Sequence, residues 1–155
     1  NEGFTPDEAM KFIRYFTRDN ARTPMQWTSG NNAGFTSGKS WLPVNENYIT
    51  VNAEAEGQDD NSVLSWYRRL SDFRRNHEEL TAGDYREIMP ESEEVFAFER
   101  TYNGRKIITA ANFSLESVRL PDEFGEYDLL LSSEGNDEGL VLRPLEARIY
   151  EYPLP

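Results

Sequence analysis

The sequence predicts a mixed fold, with helices and a long irregular stretch in front and an all-β antiparallel domain behind. Three observations carry this. Two early segments repeat apolar residues at three and four residue spacing: Met10, Ile13 and Phe16, then Val63, Trp66, Tyr67, Leu70 and Phe73. Asn103-Gly104 separates two strand-like runs. After Gly83 the turn signals recur every eight to twelve residues, the rhythm of an antiparallel sandwich or open barrel.

Thr5-Pro6-Asp7-Glu8 has the form of a helix start, with Thr5 as N-cap, Pro6 where its missing N–H costs nothing, and Glu8 closing a capping box. A helix is expected over about 6–17. Its apolar stripe, with Phe12 beside it, has to dock on a partner surface. Residues 18–60 show neither helical nor strand period and are rich in Asn, Gly, Ser, Thr and Pro, so they read as loop. Trp27, Phe35, Trp41 and Tyr48 make that loop too aromatic for a flexible linker, and we expect it to lie ordered across another surface. Asp59-Asp60-Asn61-Ser62 offers N-caps to a second helix over about 62–79, with Arg74, Arg75 and His77 suited to its C-terminal dipole.

The β part spans 83–155. The runs 95–100 and 105–113 flank Asn103-Gly104, which predicts a two-residue type I′ hairpin pairing Tyr102 with Arg105, because both turn positions need positive φ. Further strands are expected at 85–88, 118–120, 127–131, 140–142 and 147–152. They show no exposed aromatic row distinct from the core pattern, which disfavours an autonomous sugar-binding module.

The 155 residues carry 28 acidic against 16 basic side chains, a formal charge of -12. Residues 1–82 hold 9 basic and 12 acidic groups, whereas residues 83–155 hold 7 and 16, so the excess sits in the β part. This argues against nucleic-acid and anionic-membrane partners, whose affinity comes from Lys and Arg. With no cysteine, a disulfide framework, a thiolate zinc site and a cysteine nucleophile are all ruled out. No apolar run approaches a membrane span, and the chain opens without an initiator Met or a secretion signal, which hints at a piece of something longer.

Generic catalytic motifs are scarce. There is no phosphate-binding glycine loop with a Lys and no GxSxG elbow, and the one His, His77, reads as a helix-end cap. Acidic clusters such as Asp59-Asp60 and Glu78-Glu79 lack the ligand alternation of a calcium loop, and no metal or other cofactor is expected. One segment stands apart: Arg18-Asp19-Asn20-Ala21-Arg22-Thr23-Pro24-Met25-Gln26-Trp27, then Asn32-Ala33-Gly34-Phe35-Thr36 and Trp41-Leu42-Pro43-Val44-Asn45-Glu46-Asn47-Tyr48. Two arginines four residues apart with Asn, Gln and Trp nearby suit sugar hydroxyls or carboxylates, and they equally suit a polar loop that caps a core.

The wording of that segment resembles the α-glucosidase branch of glycoside hydrolase family 13, the α-amylase superfamily. The likeness continues through Asp60 to Leu70 and, more weakly, through Gly83-Asp84-Tyr85, Asn112-Phe113-Ser114 and Leu142 to Ala147. It implies that residues 1–82 close a (β/α)8 barrel and that 83–155 form a C-terminal antiparallel β-sandwich. It further implies a cytoplasmic enzyme that hydrolyses non-reducing α-glucosidic bonds of oligosaccharides with retention, with the rest of the barrel as this segment's partner. The catalytic carboxylates of such an enzyme lie on earlier strands, so no catalytic residue is assigned here and this stretch alone is expected to be inactive. What it retains by resemblance is a substrate contact from an arginine paired with an upstream Asp. We place that role on Arg22, with Arg18 as the weaker candidate. Trp27, Trp41 and Tyr48 are expected mainly to pack loop against barrel. The contrasting expectation is a carbohydrate-binding or purely structural β module.

Overall fold

The computed structural model describes residues 3–135 and 139–152. The chain divides into two compact units, Asn1–Tyr67 and Arg68–Pro155. The first opens with helix α1, Pro6–Phe16. Its capping box is complete: the Glu8 N–H donates to Thr5 Oγ1 at 3.3 Å, and the Thr5 N–H donates to Glu8 Oε2 at 2.9 Å. Accepting both Thr5 donors holds the Glu8 carboxyl below its ordinary range. Thr17 ends the helix, its N–H donating to the Ile13 carbonyl at 2.9 Å. The apolar stripe of α1 is exposed in this unit, with Phe12, Ile13 and Phe16 each more than half accessible.

The stretch expected as continuous loop over 18–60 is more structured than its composition suggests. It contains 3₁₀ turns at Arg18–Ala21, Asn31–Gly34 and Glu46–Ile49 and a one-turn helix α2, Ala53–Glu56. These escape a periodicity reading because each is a single turn with no apolar stripe; side chains of Asn45 and Asn52 cap the last two, and the Arg22 N–H to Asp19 carbonyl bond closes the first. Helix α3, Val63–Asn76, is capped by Ser62, whose hydroxyl accepts the Ser65 N–H at 3.1 Å. It stops at 76, short of the expected 79. His77 Nδ1 donates to the Phe73 carbonyl at 2.7 Å while its ring stacks on Phe73, and a separate turn, α4, follows at Glu79–Ala82.

Among its described residues the second unit holds seven strands, each within a residue or two of the expected runs except that β2 runs on to Tyr102: β1 Asp84–Glu87, β2 Val95–Tyr102, β3 Arg105–Asn112, β4 Val118–Arg119, β5 Asp128–Ser132, β6 Val141–Leu142 and β7 Ala147–Glu151. Five form one antiparallel sheet in the order β1-β2-β3-β7-β5, and β4 pairs with β6 in a two-stranded ribbon. Asn103 at φ 50° and Gly104 at φ 82° make the tight turn, with Tyr102 opposite Arg105.

Strand β3 is central and loses its alternation. Ile107 and Ile108 are both buried because each face of the sheet is covered. Ile108 joins Val95, Ala97, Ala110 and Tyr150 against Leu120, Phe124 and Leu142 from the ribbon side. Ile107 and Ile149 on the opposite face meet Leu80 of α4 and Leu70 and Phe73 of α3. Leu70 and Phe73 of the α3 stripe thus pack on the sheet, while Val63 and Tyr67 are exposed.

Below the first of these cores lies a buried ion pair. Arg148 and Glu146, 0% and 1% exposed, meet at 2.5 Å between Nε and Oε1. Arg148 also donates to the Gly139 carbonyl and, at 3.0 Å, to that of Val141. Glu146 accepts from Ser132 at 2.9 Å and from the Arg143 N–H at 2.8 Å. Burial alone would raise the Glu146 carboxyl, yet the Arg148 guanidinium and these donors hold it below its ordinary range.

Candidate functional site

The segment singled out by its wording forms the polar half of the first unit. Thr17 in extended conformation starts the 3₁₀ turn Arg18–Ala21, and Arg22 closes it, its N–H donating to the Asp19 carbonyl at 3.1 Å. Both arginines thus leave a single turn, which explains why four residues of separation can present two guanidinium groups from one place. Arg22 lies 3.9 Å from the Asp19 carboxylate, both half exposed, a surface contact that contributes little. Arg18 is exposed and, among the described residues, has no carboxylate at ion-pair distance.

What holds this turn's neighbourhood is a set of amides that residue-type reasoning overlooked. The Gln26 side chain donates to Asn47 Oδ1 at 3.1 Å and to the Val51 carbonyl. The Gln26 and Trp27 carbonyls accept the first two N–H groups of α2, from Ala53 at 2.9 Å and Glu54 at 3.0 Å. Those donors would otherwise have no intrahelical partner. On the other side, the Trp27 and Thr28 N–H groups both donate to the Ala33 carbonyl, at 2.9 and 3.1 Å. Asn52, 4% exposed, caps α2 by accepting the Ala55 N–H and donates to the Tyr48 carbonyl, each at 2.9 Å. One signal was present in the sequence: Asn52 directly precedes Ala53-Glu54-Ala55-Glu56, an N-cap before strong helix formers.

The Ala33 carbonyl reaches both donors because the backbone there turns with the wrong hand. Asn32, Ala33 and Gly34 have φ of 53°, 55° and 67° in succession. For buried Ala33 this costs roughly 1–2 kcal/mol. Asn32 offsets part of it by donating to the Thr36 and Gly38 carbonyls at 3.1 and 2.9 Å. Gly34 is required twice over, by its positive φ and because a Cβ there would sit 2.8 Å from Thr28 Oγ1.

Trp27 and Trp41, expected to pack loop against barrel, are 51% and 87% exposed, and Tyr48 is partly buried. A shallow, open depression of about 500 Å³ runs along Lys11, Phe12, Arg14, Tyr15 and Phe16 of α1, with neither Arg18 nor Arg22 in its lining. Among the described residues, no group of three His, Asp or Glu side chains is placed to hold a metal, and no helix is long and apolar enough to cross a membrane. The loop presents the Arg18 and Arg22 guanidinium groups and the faces of Trp27 and Trp41 at its surface.

The profile of the family described as "Alpha amylase, catalytic domain" matches residues 1–83. The oligo-1,6-glucosidase of Parageobacillus thermoglucosidasius is 40% identical over 99% of this chain and 29% of its own length. The trehalose-6-phosphate hydrolase of Escherichia coli is 39% identical over 75% of this chain and 21% of its own. Among solved structures, the trehalulose synthase MutB from Pseudomonas mesoacidophila superposes with a TM-score of 0.75 at 35% identity, covering 96% of this chain and 31% of that one. The chain belongs to the α-amylase family, glycoside hydrolase family 13, and spans less than a third of the length of these relatives.

Proposed function

We propose that the chain is the C-terminal part of a cytoplasmic α-glucosidase that hydrolyses non-reducing α-glucosidic bonds of oligosaccharides with retention. Residues 1–82 supply the end of its (β/α)8 barrel and 83–155 its C-terminal β-sandwich. The observation that carries this reading is the coverage: an oligo-1,6-glucosidase matches nearly the whole chain, while the chain accounts for 29% of that relative. The exposed stripe of α1 and the exposed Trp41 agree with it, because such apolar area belongs against the rest of a barrel.

In this reading Arg22 holds an outer hydroxyl of the non-reducing glucose together with an upstream carboxylate, a pairing to which a planar, permanently charged fork is suited. One observation favours Arg18 as a second candidate: Arg22 already has Asp19 beside it, whereas the Arg18 guanidinium is left for a partner outside the described residues. The test replaces each arginine by Ala in the full-length enzyme and measures kcat/KM on isomaltose together with melting temperature. The arginine that contacts glucose loses on the order of a hundredfold in kcat/KM at little cost in melting temperature, and its Lys variant recovers little. Loss at Arg18 alone moves the role there. Normal kinetics in both variants leaves the loop purely structural and sinks the proposal.

A further inference from the structure

We propose that a small hollow inside the second unit, on the ribbon side of its sheet, binds a neutral polyhydroxylated molecule the size of one sugar ring. The hollow holds about 220 Å³ and is partly enclosed. It is lined by Phe124 and Gly125 of the 3₁₀ turn Asp122–Glu126, by Tyr127 and Leu129 around the start of β5, by Leu140 before β6 and by Tyr150 of β7. Phe124 and Tyr150 belong to the core on that side, with Tyr127, Leu129 and Leu140 packed against it. The site is thus a gap in a core, and no exposed aromatic row announces it in the sequence. Gly125 keeps it open. Its φ is not positive and an added Cβ would meet only Leu140, at 3.9 Å, so neither backbone nor crowding demands glycine there.

The walls select the occupant. Tyr150 is 4% exposed, and its hydroxyl has no hydrogen-bond partner among the described residues, a rare state for a buried polar group. Burial pushes this phenol above its ordinary range, and the Arg148 guanidinium close by offsets only part of the rise. Arg148 is itself occupied by Glu146 and by the carbonyls of Gly139 and Val141. The Tyr150 hydroxyl is therefore left for a hydroxyl of the ligand. The Phe124 ring meets those of Tyr127 and Tyr150 edge to face, at 5.4 and 5.5 Å, which leaves flat apolar faces for the C–H side of a ring. Charge of either sign is unwelcome. A cation would sit beside Arg148, and an anion would meet Glu123 and Glu99, which add to burial in pushing the Tyr127 phenol up. Pockets for drug-sized ligands hold roughly 300–1,000 Å³, so about 220 Å³ admits one ring and shuts out a chain. The inference stands on these walls and not on the glucosidase reading.

The test titrates glucose into the full-length protein carrying isotope-labelled leucine methyls. Saturable shifts of the Leu129 and Leu140 methyl resonances are expected, with a Kd of about a millimolar. Gly125→Leu, which fills the hollow, should abolish them. Tyr150→Phe should weaken binding roughly fivefold. Without sugar the same variant should melt no lower than the parent, because it removes only an unpartnered hydroxyl. Cyclohexanol, a ring of similar size with one hydroxyl, should bind more weakly than glucose. Leucine methyls unmoved by glucose would mean that the hollow holds ordered water alone, and this overturns the proposal. So would shifts that survive Gly125→Leu, cyclohexanol that binds as well as glucose, or a Tyr150→Phe protein that melts well below the parent, its hydroxyl then being bonded already. None of these readouts is turnover, so this site and the glucosidase reading fail separately.

Discussion

At the scale of single residues, the least replaceable contact is the pair of Glu146 and Arg148. Neither reaches water, and between them they bind strand β5 through Ser132, the segment before β6 through the Gly139 carbonyl and the turn at Arg143. Removing one partner strands a buried charge, so Arg148→Met is expected to cost about 3–5 kcal/mol in urea unfolding of the protein, whereas the double change with Glu146→Leu recovers a large part of that loss. Acid acts on the same group. Glu99, held down by its bond to Arg86 and by Lys106, and Glu146 both titrate below the ordinary glutamate value of 4.5. In acid the folded state therefore binds fewer protons than the unfolded chain. The stability they contribute is whole above that ordinary value and drains away as pH falls through the lower folded values. Urea midpoints followed from neutral pH into acid should fall in that window, and Glu146→Gln should flatten the fall. None of this pairing was legible beforehand: nothing local marks Glu146 or Arg148 for burial, which is decided by strands far away in sequence.

Elements were legible where local chemistry suffices. The box of Thr5 and Glu8, the stripe of α3 and the Asn103-Gly104 turn each depend on neighbours within a few positions. The turns between Arg18 and Glu56 were not, since the Asn and Gln content that marks a loop is the same content that orders one. Gly83 shows the other kind of blindness. It read as a change in composition, yet a Cβ there would lie 2.4 Å from the Glu79 carbonyl oxygen and 3.0 Å from that of Thr101, both backbone. Its φ of -70° is ordinary, so closeness of α4 to β2 and not backbone freedom demands glycine. Gly83→Ala should therefore force the two elements apart at a cost of about 1–3 kcal/mol, read from a lowered urea midpoint, with faster amide exchange at Leu80 and Arg100.

At the scale of the whole molecule, the two units differ in how they are held. The clusters of buried hydrophobic side chains described above lie in the second, while the first is tied by amides and caps and leaves many of its large apolar side chains exposed. Sequence reasoning saw both halves but not this asymmetry, which depends on which apolar stripes find partners within the chain. If the missing partner carries the catalytic carboxylates, the 155-residue chain alone should release no p-nitrophenol from p-nitrophenyl α-glucoside at any pH; turnover abolished by changing a carboxylate of this chain would reverse that conclusion. The outer strand of the sheet bears on how such molecules behave in a crowd. β1 pairs on one side with β2 and turns its other backbone edge outward, an invitation to a neighbour's strand. Two copies meeting there head to tail would set Asp84 directly against Glu87 twice over, so at neutral pH the edge repels its own kind. The strand that could seed a larger sheet thus carries the charges that keep its copies apart.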